Sequence, residues 1–411
     1  MQYFLFVIYL IAGCYIIYRH PLLKKTELPV RYWIAFLCLK TCAGCYYGYW
    51  YSGQQRIATS DTWRFHNQAL EEYQLLFRHP MNYLVNLFQN SYNSWGGLLS
   101  SHGYWNNLKD NLIVKMISVM DIISGGHYYV NVVIYSFITF FGFVYYYLAC
   151  KNVVHKTPGT FTTLVILLTP SCLFWTSGIH KDGLVLLFTG LFFWCCSKHK
   201  SGSSFKAYLA PLIFSLTGIF LFRNYLLLLL MPPFVAYLIS RRYKIAPLLV
   251  YPLMGFACTL LFFLSSLITP KLDLPAALVA RKNAFEILEG NSRLPSFNLL
   301  PSFNSFAKNF PIAIDHSILR PYVWNAKNLM EVIAAGEMVI VLGIVFVSLL
   351  QWRISRDGDR SHFQWLIVYF CVSVFLVIGY SIPFSGAIVR YRAIFLMLLA
   401  SVCTFNWPRR I

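Results

Sequence analysis

Acidic side chains are scarce in this chain: Asp and Glu number 15 against 34 Lys and Arg among 411 residues, and charged residues together make up only 12%. Beside 58% hydrophobic residues and a mean hydropathy of +0.56, so little charge lies outside the usual range of soluble globular proteins. A P-loop, a dinucleotide-binding fingerprint and a zinc-protease helix are all missing. No polar stretch is long enough for a nucleotide-binding domain, which argues against a nucleotide-sugar enzyme of Rossmann type. Long loops also lack cysteine. All eleven Cys residues, Cys14 to Cys403, fall within apolar stretches, so no structural disulfide is expected. Cys38, Cys42 and Cys45 share one helical face, but no His or carboxylate lies nearby in that stretch, and a packed small-residue stripe accounts for them better than a metal site.

What the chain does have is apolar runs of about 17 to 25 residues, each long enough to cross a roughly 30 Å hydrocarbon core as a helix. The residue alternation of a membrane barrel is not seen. The sequence therefore predicts an all-α polytopic membrane protein, one integral membrane domain over 1–411. Its expected spans are 2–18, 32–51, 126–150, 160–178, 183–197, 206–222, 224–239, 246–268, 333–352, 364–381 and 393–406. Ile11-Ala12-Gly13-Cys14 superficially fits a lipoprotein cleavage site, but no Lys or Arg precedes it and apolar residues run past the cysteine, so an uncleaved helix is expected.

The short connections from Arg19 to Arg31, Lys151 to Lys156, Lys198 to Lys206, Arg241 to Lys244 and Arg353 to Arg360, with Arg409 and Arg410, hold 17 of the 34 basic residues. The positive-inside rule places them in the cytoplasm, which puts the N-terminus outside and the C-terminus inside, as in a bacterial inner membrane. Topology thus accounts for the formal charge of +19, and nucleic acid is not an expected partner. Of the 15 acidic residues, only Glu27, Asp357 and Asp359 fall on the inner side. Carboxylate chemistry is expected on the outer face.

Two outer loops follow from this topology, 52–125 and 269–332. In the first, Leu70, Tyr73, Phe77, Met81, Leu84 and Phe88 recur at helical spacing, interrupted at Pro80. A second helix is expected through Leu112, Ile113, Met116, Ile117, Val119, Met120 and Ile123, with Asp110, Lys115, Ser118 and Asp121 opposite. Both read as helices in the membrane interface. Asn90 to Asn107, rich in Asn, Ser, Gly, Tyr and Trp, suits turns and stacking on a sugar ring, or an interfacial aromatic belt. The second loop carries two near-copies, Leu294-Pro295-Ser296-Phe297-Asn298 and Leu300-Pro301-Ser302-Phe303-Asn304, expected to cover the active face.

Asp61, just outside the second span, is the first candidate for chemistry. A carboxylate beside a low-dielectric wall can act as general base on a hydroxyl or help hold a divalent cation; Ser60 or Asp61 could equally be an ordinary helix cap. His66, slightly off the same helical face, is a second catalytic candidate. The outer turn Gly178-Ile179-His180-Lys181-Asp182-Gly183 packs three ionisable residues into a tight connection, where Lys181 could hold a phosphate and Asp182 could orient it or serve as acid or base. Arg223, Arg320, Arg390 and Arg392 are outward cations whose planar forks suit phosphate oxygens, or which snorkel to lipid headgroups. Lys181, Arg223, Arg390 and Arg392 are expected to converge on one positive cavity, with Glu337 pairing one of the arginines.

The Ser60-Asp61 pair followed by an aromatic and His66, the interfacial helices after it, the Pro170-Ser171 to Asp182 turn and Arg390-Tyr391-Arg392 before the last span together resemble polytopic GT-C-type glycosyltransferases. The chain departs from the commoner pattern in lacking a paired Asp-Glu in the first loop. The resemblance implies a sugar donor linked to polyprenyl phosphate, a glycan, lipid or protein acceptor, membrane lipids as surroundings, and a divalent cation or none, with Asp61 as base or metal contact. Bacterial O-antigen polymerases or ligases share the layout. A flippase or transporter for a lipid-linked glycan is the reading from a different class, disfavoured by the long outer loops and the lack of an internal repeat.

Overall fold

The computed structural model describes all residues except 54–59, 90–103, 199–205, 269–271, 291, 351–357 and 408–411. Most of the proposed sugar-stacking stretch 90–107 and several of the basic connections therefore lie outside the described residues. The described residues are 84% helical, with no strand among them. Its helices are α1 (Gln2–Arg19), α2 (Pro21–Lys24), α3 (Val30–Tyr51), α4 (Asp61–Arg78), α5 (Pro80–Asn86), α6 (Tyr104–Ser124), α7 (Tyr128–Val154), α8 (Thr160–Leu168), α9 (Pro170–Ser177), α10 (Lys181–Lys198), α11 (Lys206–Arg242), α12 (Pro247–Ile268), α13 (Leu274–Glu286), α14 (Phe303–Ile314), α15 (Leu329–Leu350), α16 (Gly358–Ser381) and α17 (Ser385–Cys403). Among the described residues, eight are long and apolar enough to cross a membrane, and the protein is an integral membrane protein.

Each of the eleven expected spans falls on a helix, yet only eight pass as membrane-crossing. The reasons are specific. Polar residues dilute α3, which carries Lys40, and α10, which begins with Lys181 and Asp182. The sixth and seventh spans form one continuous element, α11, whose two helical stretches meet at Arg223, where φ −151° and ψ 78° leave the helical region. In the first outer loop the apolar periodicity becomes α4 and α5, broken between Arg78 and Pro80, and α6 follows. Proline has no N–H to continue the α4 ladder, so it starts a new helix at its favoured first position.

The described residues divide into two compact units. The first comprises the described parts of Met1–Leu98, His102–Pro158 and Leu173–Asn224, and the second those of Gly159–Cys172 and Tyr225–Ile411. In the first unit, α7 and α10 make the largest helix-to-helix contact. They approach through glycine: a Cβ at Gly190 would lie 2.2 Å from the Gly142 carbonyl oxygen, and one at Gly142 would lie 2.8 Å from the Leu187 backbone. Trp33 of α3 is wholly buried edge-on to Phe140 and Tyr147, at ring separations of 5.6 and 5.4 Å, and its indole N–H donates to Thr26 Oγ1 at 3.0 Å. In the second unit α16 and α17 form the central pair, and α13 and α14 pack on α16. Leu299, Phe306, Ala313 and Tyr380 form a buried cluster there, closed by a 2.7 Å hydrogen bond from the Tyr380 hydroxyl to the Phe306 carbonyl.

Candidate active site

The site is built in the first unit, from the start of α4 and the turn between α9 and α10. Ser60 caps α4 by accepting from the Trp63 N–H at 3.3 Å, so the cap role considered for Asp61 is filled by its neighbour. Asp61 is then the first helical residue, with its side chain 36% exposed. Its Oδ2 lies 3.0 Å from Nε2 of His180, which is almost wholly enclosed. The other ring nitrogen of His180, Nδ1, lies 2.9 Å from Oδ2 of buried Asp182, and Asp182 Oδ1 accepts from Arg223. One line therefore runs from the surface inward: Asp61, His180, Asp182, Arg223. The Asp182 backbone N–H also reaches Nδ1, at 3.4 Å.

A second set of charges closes around this line. Lys181 donates to Asp110 of α6, and Arg64, half-exposed, lies 3.3 Å from Asp61 and 3.6 Å from Asp110. Arg64, Lys181 and Arg223 thus stand against Asp61, Asp110 and Asp182, so the cluster is balanced rather than strongly positive. The turn itself is pinned from below and behind. Wholly buried Lys40 of α3 donates to the Thr176 carbonyl at 2.7 Å and lies 3.3 Å from Ser177 Oγ, and the Tyr135 hydroxyl donates to the His180 carbonyl.

Of the residues singled out in the sequence, Asp61, Lys181, Asp182 and Arg223 come together here. His66 does not join them. Five residues on from Asp61 is about 500° around a helix, so its side chain points well away from that of Asp61. The ring is 5% exposed, set edge-on to Trp63 and Tyr128 at 5.8 and 5.3 Å, and its Nδ1 has no hydrogen-bond partner. Arg320, Arg390 and Arg392 belong to the second unit. There Arg320 pairs with Asp315 at 2.7 Å, Arg390 stands over the Tyr391 ring, and buried Arg392 donates to the Ser317 carbonyl at 2.7 Å. Glu337 accepts from the Ser171 N–H at 3.1 Å and hydroxyl at 2.6 Å. The four cations expected to share one cavity are thus divided between the two units.

Three members of the cluster were not given roles by sequence. Arg64 carried a signal, since it follows Asp61 by three positions on one helix face. His180 was visible only as one ionisable residue of the tight turn. Asp110 stood among polar residues of α6, with nothing local to tie it to Lys181.

Among the described residues, no group of three His, Cys, Asp or Glu is placed to hold a metal ion.

Removing one half of the inner ion pair should be costly. Arg223→Met leaves buried Asp182 without its cation and should cost about 3 to 5 kcal/mol. Combining it with Asp182→Asn should cost clearly less than the sum of the single changes. Unfolding in detergent measures the cycle, and strict additivity would mean that the pair is not coupled.

His66 supplies a pH dependence. Burial, and then His127, push its pKa from 6.5 down to about 4. The unfolded chain therefore takes up the proton first. The stabilisation is fully present above pH 6.5 and is lost as the pH falls from 6.5 through about 4, an effect on the order of 3 kcal/mol. His66→Gln should flatten that acid limb of thermal stability. An unchanged limb would place the acid sensitivity elsewhere.

Compared with protein-family models, with curated proteins and with solved structures, the chain matches none.

Proposed function

We propose that the protein is a membrane glycosyltransferase of GT-C-like type, moving a sugar from a polyprenyl-phosphate-linked donor to an acceptor hydroxyl on the extracytoplasmic face. The observation that carries the reading is that Asp61 is the most exposed carboxylate of a line whose inner members, His180 and Asp182, are enclosed. A general base must reach its substrate while being held in one position, and a buried imidazole behind the carboxylate provides that hold. In this reading Asp61 accepts the proton of the acceptor hydroxyl as the bond from the anomeric carbon to the donor phosphate breaks, and the bonding pair leaves with the phosphate. Lys181 and Arg64 meet the phosphate charge by exchanging Asp110 for it. No step is routed through a metal ion.

The test has two arms. Reporters fused after Asn107 or Asn298 should read as extracytoplasmic, and one after Arg356 as cytoplasmic; the reverse pattern overturns the placement of the site. Purified protein given polyprenyl-phosphate sugars and lipid or glycan acceptors should release polyprenyl phosphate as sugar is transferred. Equilibration of the intact donor across a vesicle, with no bond broken, would replace the transferase by a flippase.

A further inference from the structure

Asp121 and Asn131 meet across the turn that joins α6 to α7, and both are completely buried. Gly125 and Gly126 make the turn, at φ 65° and 75°, in the left-handed region where glycine is favoured. Asn131 Nδ2 donates to Asp121 Oδ1 at 2.6 Å, and the Ser124 hydroxyl lies 3.4 Å from the same oxygen. The remaining oxygen of each partner, Asp121 Oδ2 and Asn131 Oδ1, is buried with no hydrogen-bond partner.

An ionised carboxylate buried without a cation is costly, and here a second acceptor is stranded beside it. A single proton satisfies both. A neutral carboxylic acid and a primary amide form a two-bond pair: the amide N–H donates to one carboxyl oxygen, and the other carboxyl oxygen donates its O–H to the amide oxygen. The first of those bonds is in place, and the two stranded oxygens are the ends of the second.

We propose that Asp121 binds and holds a proton, paired as a neutral acid with the Asn131 amide, and that this pair is a pH-sensitive latch between α6 and α7. Burial pushes the Asp121 carboxyl upward from its ordinary value, and the hydrogen bonds from Asn131 and Ser124 oppose that only in part; no charged group contributes. The titratable groups nearest in the chain and on the packed elements are His127 of the turn itself, Lys115, His66 and Tyr9. Lys115 of α6 pairs with Glu72 of α4, His66 of α4 lies against Trp63 and Tyr128, and the Tyr9 hydroxyl of α1 donates to the Ile123 carbonyl. The proton comes from solvent and returns to it when the latch opens. Because α6 also carries Asp110, about three turns before Asp121, releasing this end of the helix loosens the carboxylate that holds Lys181.

Here the folded state keeps a proton that the unfolded chain gives up, so the contribution is present below pH 3.8, the ordinary value, and is lost as the pH rises through the raised one. In that window the folding equilibrium of the wild type, measured against Asp121→Asn, should fall by about tenfold per pH unit. The exchanged variant, Asp121→Asn with Asn131→Asp, keeps an acid and an amide in contact and should restore the slope. Infrared difference spectra of the unmutated protein against Asp121→Asn should show the carbonyl band of a protonated carboxyl above pH 3.8, where an ordinary aspartate is ionised. A carboxylate band in its place, equal slopes for wild type and Asp121→Asn, or stabilisation that depends on sodium ions rather than on pH would each overturn the proposal.

Discussion

Asp61→Asn should lower sugar transfer by roughly 10²- to 10⁴-fold while leaving the amount of membrane-inserted protein unchanged. Asparagine has nearly the shape of aspartate, and its amide oxygen can still accept from His180 Nε2, so the geometry of the line is retained. The helix start is retained as well, because the cap belongs to Ser60. Basicity is what goes. Initial rates at saturating donor, normalised to protein extracted from membranes, measure the effect. Normal rates in the asparagine variant would remove Asp61 as the base and leave it as one end of a structural charge cluster.

Gly190→Val should abolish recovery of folded protein. The new Cβ would sit 2.2 Å from the Gly142 carbonyl oxygen, and that oxygen cannot swing aside as the end of a flexible side chain can. Overpacking among side chains commonly costs about 1 to 3 kcal/mol, and forcing two helix backbones apart costs more, against a total stability of roughly 5 to 15 kcal/mol. Gly336→Val is the control, since nothing lies within 4 Å of a Cβ there and the change should be tolerated. Yield of monodisperse protein after detergent extraction decides the matter. Equal yields for the two variants would mean that α7 and α10 do not cross through their glycines.

How much of this was legible beforehand depended on how far apart in the chain the interacting residues lie. The helices were legible because apolar run length and the helical repeat are local, and so was the interruption at Pro80, which is chemical. The isolated Arg223 between two apolar runs marked the break in α11. The span count was less secure, because Lys40 and the polar start of α10 dilute segments that are still helical. In the site, Asp61, Lys181 and Asp182 were found as charges with no local reason to be near a membrane. Their partners were not legible: His180 reaches Asp61 across 119 positions, and Lys181 reaches Asp110 across 71. His66 was grouped with Asp61 because it is near in sequence, whereas the helical repeat turns it toward Trp63 and Tyr128.

Lys40 imposes an order on how this chain can be made. Its ammonium is satisfied by Thr176 and Ser177, which leave the ribosome about 136 residues later. Until then α3 carries a charge with an insertion cost of roughly 2.5 to 3.5 kcal/mol at the centre of a bilayer. That cost favours a helix held beside water or protein until the C-terminal end of α9 arrives with the oxygens that accept from Lys40.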